Sequence, residues 1–373
     1  MEGPALARFP FWIAPSGEQI RIVEKLEELL SGLDAGVAEL KTAKKKLTRY
    51  RQSLLKAAVE GALTAGWRAE QARCGEATET GAQLLARILA ERRARWEAKQ
   101  FAKFKDQVKV PPKNWKDDYP EPAQPDSANL PALPEGWAWA SVEQLGRVQL
   151  GRQRSPNKVG KANPTPYIRA ANITEDGVDS GDVLEMEFSE TEKETFALRV
   201  GDVLLTEASG SPAHVGRPAI WTNPDGLYCF QNTVLRFSPE SIGSDYAYYS
   251  FLVMQKLGVF RKLSSGVGIN HLSAGKFSTL PLPLPPISEQ IALVENLKEM
   301  FSMCEKQLTS ITHSLIQSSV QRKNILKAAF SGQLVPQDPN EEPASMLLER
   351  IRCDRMTQLG KKAPEPARRK VAA

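Results

Sequence analysis

Apolar residues recur every seven positions along two long stretches of this chain. In the first, Leu26, Leu33, Leu40, Leu47 and Leu54 hold one heptad position, and Val23, Leu30, Val37, Lys44 and Arg51 hold the other. In the second, Leu297, Cys304, Ile311, Ser318 and Ile325 alternate with Val294, Phe301, Leu308, Leu315 and Arg322. A two-position seam of this kind predicts an amphipathic helix that needs a partner helix. The matching seams predict that the two helices pair with each other, through Leu26, Leu33, Leu40 and Leu47 on one side and Leu297, Ile311 and Ile325 on the other. Each would span roughly 60 Å at about 1.5 Å per residue. Arg51 and Arg322 fall on equivalent seam positions, where a charge either fixes register or snorkels out to solvent.

The two stretches are copies of one segment. Pro15–Thr64 and Pro286–Val335 align without a gap, 271 positions apart, with sixteen identical residues. Two copies are too few to stack as a solenoid, so the duplication reads as a scaffold that holds modules apart. The likeness resumes beyond each copy, where TGAQLLARILAERR (Thr80–Arg93) resembles EPASMLLERIRCDR (Glu342–Arg355). Each is expected to be a short helix folding back on its long helix. Prolines set the boundaries: Pro281, Pro283, Pro285 and Pro286 force an extended approach to the second helix.

Between the helices the texture changes. TPYIRAANI, GDVLLT, RPAIW and NTVLRF are short β-rich runs separated by Gly, Asn, Ser and Pro turns, with one helix expected around Tyr246–Leu257. The expected organisation is a lead-in over 1–14, a first long helix over 15–64 and a helical extension over 65–109. A Pro-rich linker over 110–133, exposed and extended, leads to a globular domain over 134–285. A second long helix over 286–335, a short helical extension over 336–360 and a disordered basic tail over 361–373 complete it. The fold class is α+β: one globular α+β domain flanked by two long helices that pack antiparallel.

Composition changes this picture little. The 373 residues are 41% hydrophobic and 25% charged, with a net charge of +5, which is ordinary for a soluble protein. Four scattered cysteines (Cys74, Cys229, Cys304, Cys353) form no CxxC pair and read as free thiols. No signal peptide and no apolar run of membrane-spanning length is visible, so a cytoplasmic, membrane-free protein is expected. Catalytic signatures are missing as well. There is no phosphate-binding Gly-rich loop ending in Lys-Ser/Thr, the three histidines are dispersed, and neither a metal nor a cofactor of the chain's own is expected.

Binding is the better reading. Arg147, Arg152, Arg154, Lys158, Lys161 and Arg169 lie in a stretch without an acid, and Lys256, Arg261, Lys262 and Lys276 form a second basic stretch. Eleven carboxylates between Glu175 and Glu207 separate them in sequence. Acids on one side would orient the basic side toward phosphates. Arg can fork onto guanine, and Asn or Gln can bridge adenine. The candidate DNA contacts are therefore Arg152, Gln153, Arg154, Lys158, Arg169 and Asn172 near the first basic stretch, and Arg261, Lys262, Ser265, Asn270, His271 and Lys276 near the second. An ordinary polar surface loop is the plainer alternative for each.

These strings resemble the specificity subunits of type I restriction–modification systems. The resemblance rests on PSGEQIRIVEKLEELL and PISEQIALVENL, LLKAAVEGALT and ILKAAFSGQLV, LPEGWAWASVEQLG, LRVGDVLLTEASGS, FQNTVLRF and INHLSAGKFSTLPLPLPP. It implies a non-catalytic prokaryotic subunit in which target-recognition domains alternate with long spacer helices, each domain reading half of a split double-stranded DNA site. It implies two methyltransferase partners, which use S-adenosylmethionine to modify adenine N6, and restriction subunits that use ATP and Mg²⁺. A full-length member would carry two recognition domains, whereas only Met1–Ala14 precedes the first helix here. One head is therefore expected, with the second supplied by a homodimer, which is slightly favoured, or by another specificity chain. The competing reading is a protein–protein scaffold or truncated remnant, with helices competent for partners and no useful sequence specificity.

Overall fold

The computed structural model describes residues 12–75, 79–125, 130–153, 164–264 and 270–360. In chain order the helices are α1 (Ser16–Val59), α2 (Ala65–Cys74), α3 (Gly81–Asp106), α4 (Val142–Leu145), α5 (Glu190–Phe196), α6 (Ser244–Lys256), α7 (Val259–Leu263), α8 (Ala274–Ser278), α9 (Ile287–Phe330) and α10 (Ala344–Gly360). The strands are β1 (Ala138–Ser141), β2 (Gly146–Leu150), β3 (Pro164–Ile168), β4 (Leu184–Glu187), β5 (Val203–Thr206), β6 (Ala208–Ser209), β7 (Pro218–Ile220), β8 (Cys229–Phe230), β9 (Val234–Pro239), β10 (Asn270–His271) and β11 (Pro281–Leu284). The chain divides into two compact units, Met1–Thr48 with Cys304–Ala373, and Arg49–Met303.

In the first unit, α1 and α9 run antiparallel. Arg322 pairs with Asp34, and Arg21 pairs with Glu341 and donates to the Pro336 carbonyl. Of the seam residues, Leu26, Leu33, Leu40, Leu47, Ile311 and Ile325 are half-buried, whereas Val23 and Lys44 are exposed. Leu297, in the second unit, is fully buried. The two seam arginines resolve differently. Arg322 takes a carboxylate on the facing helix, while the Arg51 guanidinium lies 4.8 Å from the centre of the Phe301 ring in the second unit.

The duplication extends to single hydrogen bonds. Gln19 Nε2 donates to Ala14 O at 2.7 Å, and Gln290 Nε2 donates to Pro285 O at 2.9 Å, so both helices start with the same lock. Both long helices are 44 residues, and both stop five residues short of the sequence repeat. The reason is Gly61 and Gly332, with φ of 71° and 69°. A glycine in the left-handed region just past the last turn ends a helix, because other residues pay a steric penalty there.

The second unit is the globular head with its supports. The central sheet is ordered β2-β9-β5-β7, all antiparallel, and a smaller sheet is ordered β4-β3-β8. Ile168, Ile173, Leu204, Trp221, Phe230 and Val234 form the core between them. Phe237, Phe251, Phe277 and Phe260 continue it as a chain of ring contacts through α6, α7 and α8. All four β-rich runs of the sequence became strands, and the expected helix is α6. Burial pushes the Cys229 thiol up to about 12, so this cysteine stays a thiol within the core.

Two expectations need correction. The helix after the first copy is 26 residues long, and it packs on the head rather than folding back along α1. Leu84 and Ile88 are fully buried, Arg92 donates to the Glu143 carbonyl, and Gly81 lies against the backbone of Gly136, Ala138 and Leu284. The Pro-rich segment is not a free extended connector either. Trp115 stacks on Trp96 at 5.9 Å, Tyr119 meets Trp96 edge-on at 5.4 Å, and Gln124 accepts from Gln144. Aromatic side chains regularly spend their large area on such contacts, and here they strap residues 115–124 along α3. The lead-in up to residue 11 and the basic tail from 361 lie outside the described residues.

The two terminating glycines provide a stability test. Gly332→Ala should cost about 1–2 kcal/mol from left-handed strain alone. Gly61→Ala should cost more, because a Cβ there also overlaps the Pro134 ring. Urea unfolding of the two variants checks the order.

Candidate nucleic-acid interface

A buried carboxylate fixes where the head sits on its supports. Glu289, in the first turn of α9, accepts from Thr64 Oγ1 at 2.6 Å, from Trp137 Nε1 at 2.8 Å and from Arg68 Nη1. Arg68 also donates to Gly61 O at 2.7 Å. One side chain thus ties the end of α1, the start of α9 and the first turn of the head. Next to it, β1 and β11 pair antiparallel, Ala138 opposite Leu284 and Ser141 opposite Pro281. The head's two chain ends therefore leave it side by side.

On the head, β6 and β10 pair Ser209 with Asn270 and Ala208 with His271. This ladder brings the Gly/Ser-rich turn after β6 beside the second basic stretch. Gln255 Nε2, at the end of α6, holds that turn through Ala213 O at 3.0 Å. Lys276 Nζ donates to Leu263 O at 3.1 Å, closing the last turn of α7. Arg261 and Lys262 project from that same turn and are exposed. His271 is exposed, with Nδ1 3.2 Å from Glu207. Arg261, Lys262, His271 and Lys276 thus gather around one helix end and one short ladder. The backbone of Asn270 is in β10, while its side chain and all of Ser265 lie outside the described residues.

The first basic stretch behaves differently. Arg152 is pinned by its backbone, with N on Phe230 O at 3.0 Å and O accepting from Asn232 N at 3.0 Å. Its side chain turns inward, placing Nε 2.6 Å from Glu192 and the guanidinium 5.1 Å from the centre of the Phe188 ring. Arg169 Nη2 pairs with Asp182 at 2.9 Å. Asn172 is buried and donates both amide protons, to Asp179 O at 3.0 Å and Asp182 O at 2.8 Å. Gln153 is exposed. Arg154 and Lys158 lie outside the described residues.

The acidic block therefore does not face away from the first basic stretch; it supplies the partners of Arg152 and Arg169. The same block also reaches the second stretch, where Lys256 lies 3.8 Å from Glu175 and His271 3.2 Å from Glu207, while Arg261 and Lys262 stay exposed. The turn 209–214 is the element that sequence reasoning passed over as a site. Its signal was a Gly/Ser run directly after a buried strand, GDVLLTEASGS, and the pairing with β10 that makes it relevant is long-range. Among the described residues no group of His, Cys, Asp and Glu is arranged to hold a metal, and no helix is long and apolar enough to cross a membrane.

Residues 134–313 match the family described as Type I restriction modification DNA specificity domain. Over 362 residues the chain is 23% identical to the specificity subunit of the type I restriction enzyme EcoKI from Escherichia coli K12, covering 94% of this chain and 65% of that one. It is 22% identical over 357 residues to the StySPI specificity subunit of Salmonella potsdam, covering 92% and 64%. Among solved structures, the HsdS subunit from Thermoanaerobacter tengcongensis aligns with a TM-score of 0.48 and 17% identity, over 85% of this chain and 59% of that one. The chain spans about two thirds of the length of the curated relatives it matches.

Asn172→Ala should lower head stability by about 1–3 kcal/mol, since it strands two buried carbonyls. It should not change preference among DNA sequences. Thermal melting together with binding to several DNA duplexes checks both halves.

Proposed function

We infer, from the match of residues 134–313 to the type I restriction modification DNA specificity domain and the likeness to curated specificity subunits, that the chain is a non-catalytic subunit whose head reads one half of a split DNA target. Its paired helices then dock the methyltransferase subunits that modify adenine N6, and restriction subunits assemble on that core. S-adenosylmethionine, ATP and Mg²⁺ enter with those partners, and the complex works in the bacterial cytoplasm. The observation that carries the reading is the cluster of Arg261, Lys262, His271 and Lys276 around the β6–β10 ladder, on a head locked to the spacer by Glu289. Cations on a rigid element attract and orient the phosphate backbone, while neighbouring polar loops address base edges.

A second reading, a scaffold that binds partners without useful specificity, draws on one observation. Arg152 and Arg169 are engaged with Glu192 and Asp182 and are not poised for bases. Gel shifts separate the two. Specific subunits bind a defined half-site well above random DNA, whereas a scaffold binds every duplex alike with a steep salt dependence.

Within the first reading, Lys262→Ala should weaken binding to all duplexes and flatten the plot of log affinity against log salt by about one unit. Arg261→Ala should cost about 1–3 kcal/mol on the cognate duplex only, if it forks onto a base. Equal losses on cognate and random duplexes would assign Arg261 to phosphate contact.

A further inference from the structure

The head and the first turns of α9 leave an open cleft between them. Its volume is about 520 Å³, within the range of ligand sites. Val200, Ile220 and Trp221 line it from the head, and Ile287, Ile291 and Val294 line it from α9. Trp221 and Val294 are buried, while Val200 is 62% and Ile291 56% exposed. Apolar side chains gathered in a concave place, rather than scattered singly, mark a binding surface.

Two polar features of the cleft are unused. Gln290 lines it and is 2% exposed, and its Nε2 donates to Pro285 O at 2.9 Å. Among the described residues its Oε1 is buried without a hydrogen-bond partner. Exchanging the two ends of the amide would set Oε1 against a carbonyl, so the lock at the start of α9 fixes the acceptor as the idle end. Gln19 makes the same bond to Ala14 O in the first copy, but it is exposed and solvent can serve its other end. The second feature is the start of α6. Gly243 caps this 13-residue helix without a side-chain hydrogen bond, and a Cβ on it would meet nothing within 4 Å. The leading N–H groups of a helix call for acceptors.

The charges around the cleft narrow the choice of ligand. Asp245, in the first turn of α6, pairs with Lys298 at 2.7 Å. A carboxylate at that helix start disfavours an anion and leaves a neutral carbonyl as the fitting acceptor. Glu295 lines the cleft from α9, is exposed, and takes part in no ion pair among the described residues. An acceptor in need of a donor, donors in need of an acceptor, and an apolar trough together match a peptide group with aliphatic side chains.

We propose that this cleft binds an extended apolar peptide segment of a partner polypeptide, with a Lys or Arg beside its aliphatic residues to meet Glu295. The peptide N–H goes to Gln290 Oε1, and the peptide carbonyl goes to the start of α6. A hydrocarbon ligand would leave Gln290 unpaired, and a nucleic-acid phosphate would meet Asp245 and Glu295 as like charges. The site shares no residue with the cluster of Arg261, Lys262, His271 and Lys276, so it goes beyond DNA reading.

A random heptapeptide library displayed on phage, panned in parallel against the full chain and its Ile291→Asp variant, tests this. Ile291 is exposed, so the variant should keep the wild-type melting temperature; if it does not, Val200→Asp on the opposite wall replaces it. Peptides that join aliphatic residues to Lys or Arg should be enriched on the wild type and lost on the variant. Glu295→Lys should exchange the basic preference for an acidic one. The best peptide, synthesised with a fluorophore, should lose about tenfold in affinity when one particular backbone nitrogen is methylated, as expected when a buried acceptor loses its donor. No enrichment over the variant would overturn the proposal, as would a selected set indifferent to Glu295→Lys. Tolerance of N-methylation at every position would exclude the bond to Gln290 and with it the peptide as the ligand class. Half-site binding in gel shifts tests the DNA reading separately, since these variants leave the cationic cluster untouched.

Discussion

The buried carboxylate of Glu289 is the constraint on which the head's placement depends. A carboxylate taken out of water is costly unless every lone pair is used. Here it is used by a hydroxyl from the end of one long helix, a guanidinium from the helix that follows, and an indole from the start of the head. The three donors come from segments more than 150 residues away in sequence, so the joint forms only when all the segments are in place. Breaking it leaves both a stranded charge and an unsatisfied indole. The joint therefore gives the head a defined orientation.

Duplication explains why such a joint is possible. The same Glu-Gln pair opens both long helices, the same side-chain lock holds their first turns, and glycines with nearly the same φ end them. The copies differ along their lengths. Leu33, Lys44 and Leu47 of the first seam are Cys304, Leu315 and Ser318 in the second, while the terminating glycines Gly61 and Gly332 are kept.

The parts of the fold legible in the sequence were those governed by local periodicity. The seam from Leu26 to Leu47 follows from heptad spacing, and the strands in TPYIRAANI, GDVLLT and NTVLRF follow from β-rich runs between turn residues. The helix ends were misplaced by five residues because sequence likeness continues past Gly61 and Gly332 into the turns that follow. What depended on distant partners was not legible. Arg152 reads as an exposed guanine reader until Glu192 and Phe188, about forty residues on, turn it inward. Asn172 reads as a surface amide until the carbonyls of Asp179 and Asp182 claim it. The Pro-rich segment reads as a linker until Trp96 offers Trp115 and Tyr119 a surface.

The pairing of β1 with β11 has a consequence for how such proteins change. Because the chain enters and leaves the head on adjacent, antiparallel strands, both covalent crossings lie side by side, while Arg95–Glu240 and Lys298–Asp245 hold the rest of the head against α3 and α9. Trp137 and Glu289, which set the orientation, lie on the scaffold side of those strands. A module exchanged at these two strands would keep the joint of Trp137 with Glu289, and it would have to meet α3 and α9 where Glu240 and Asp245 do now.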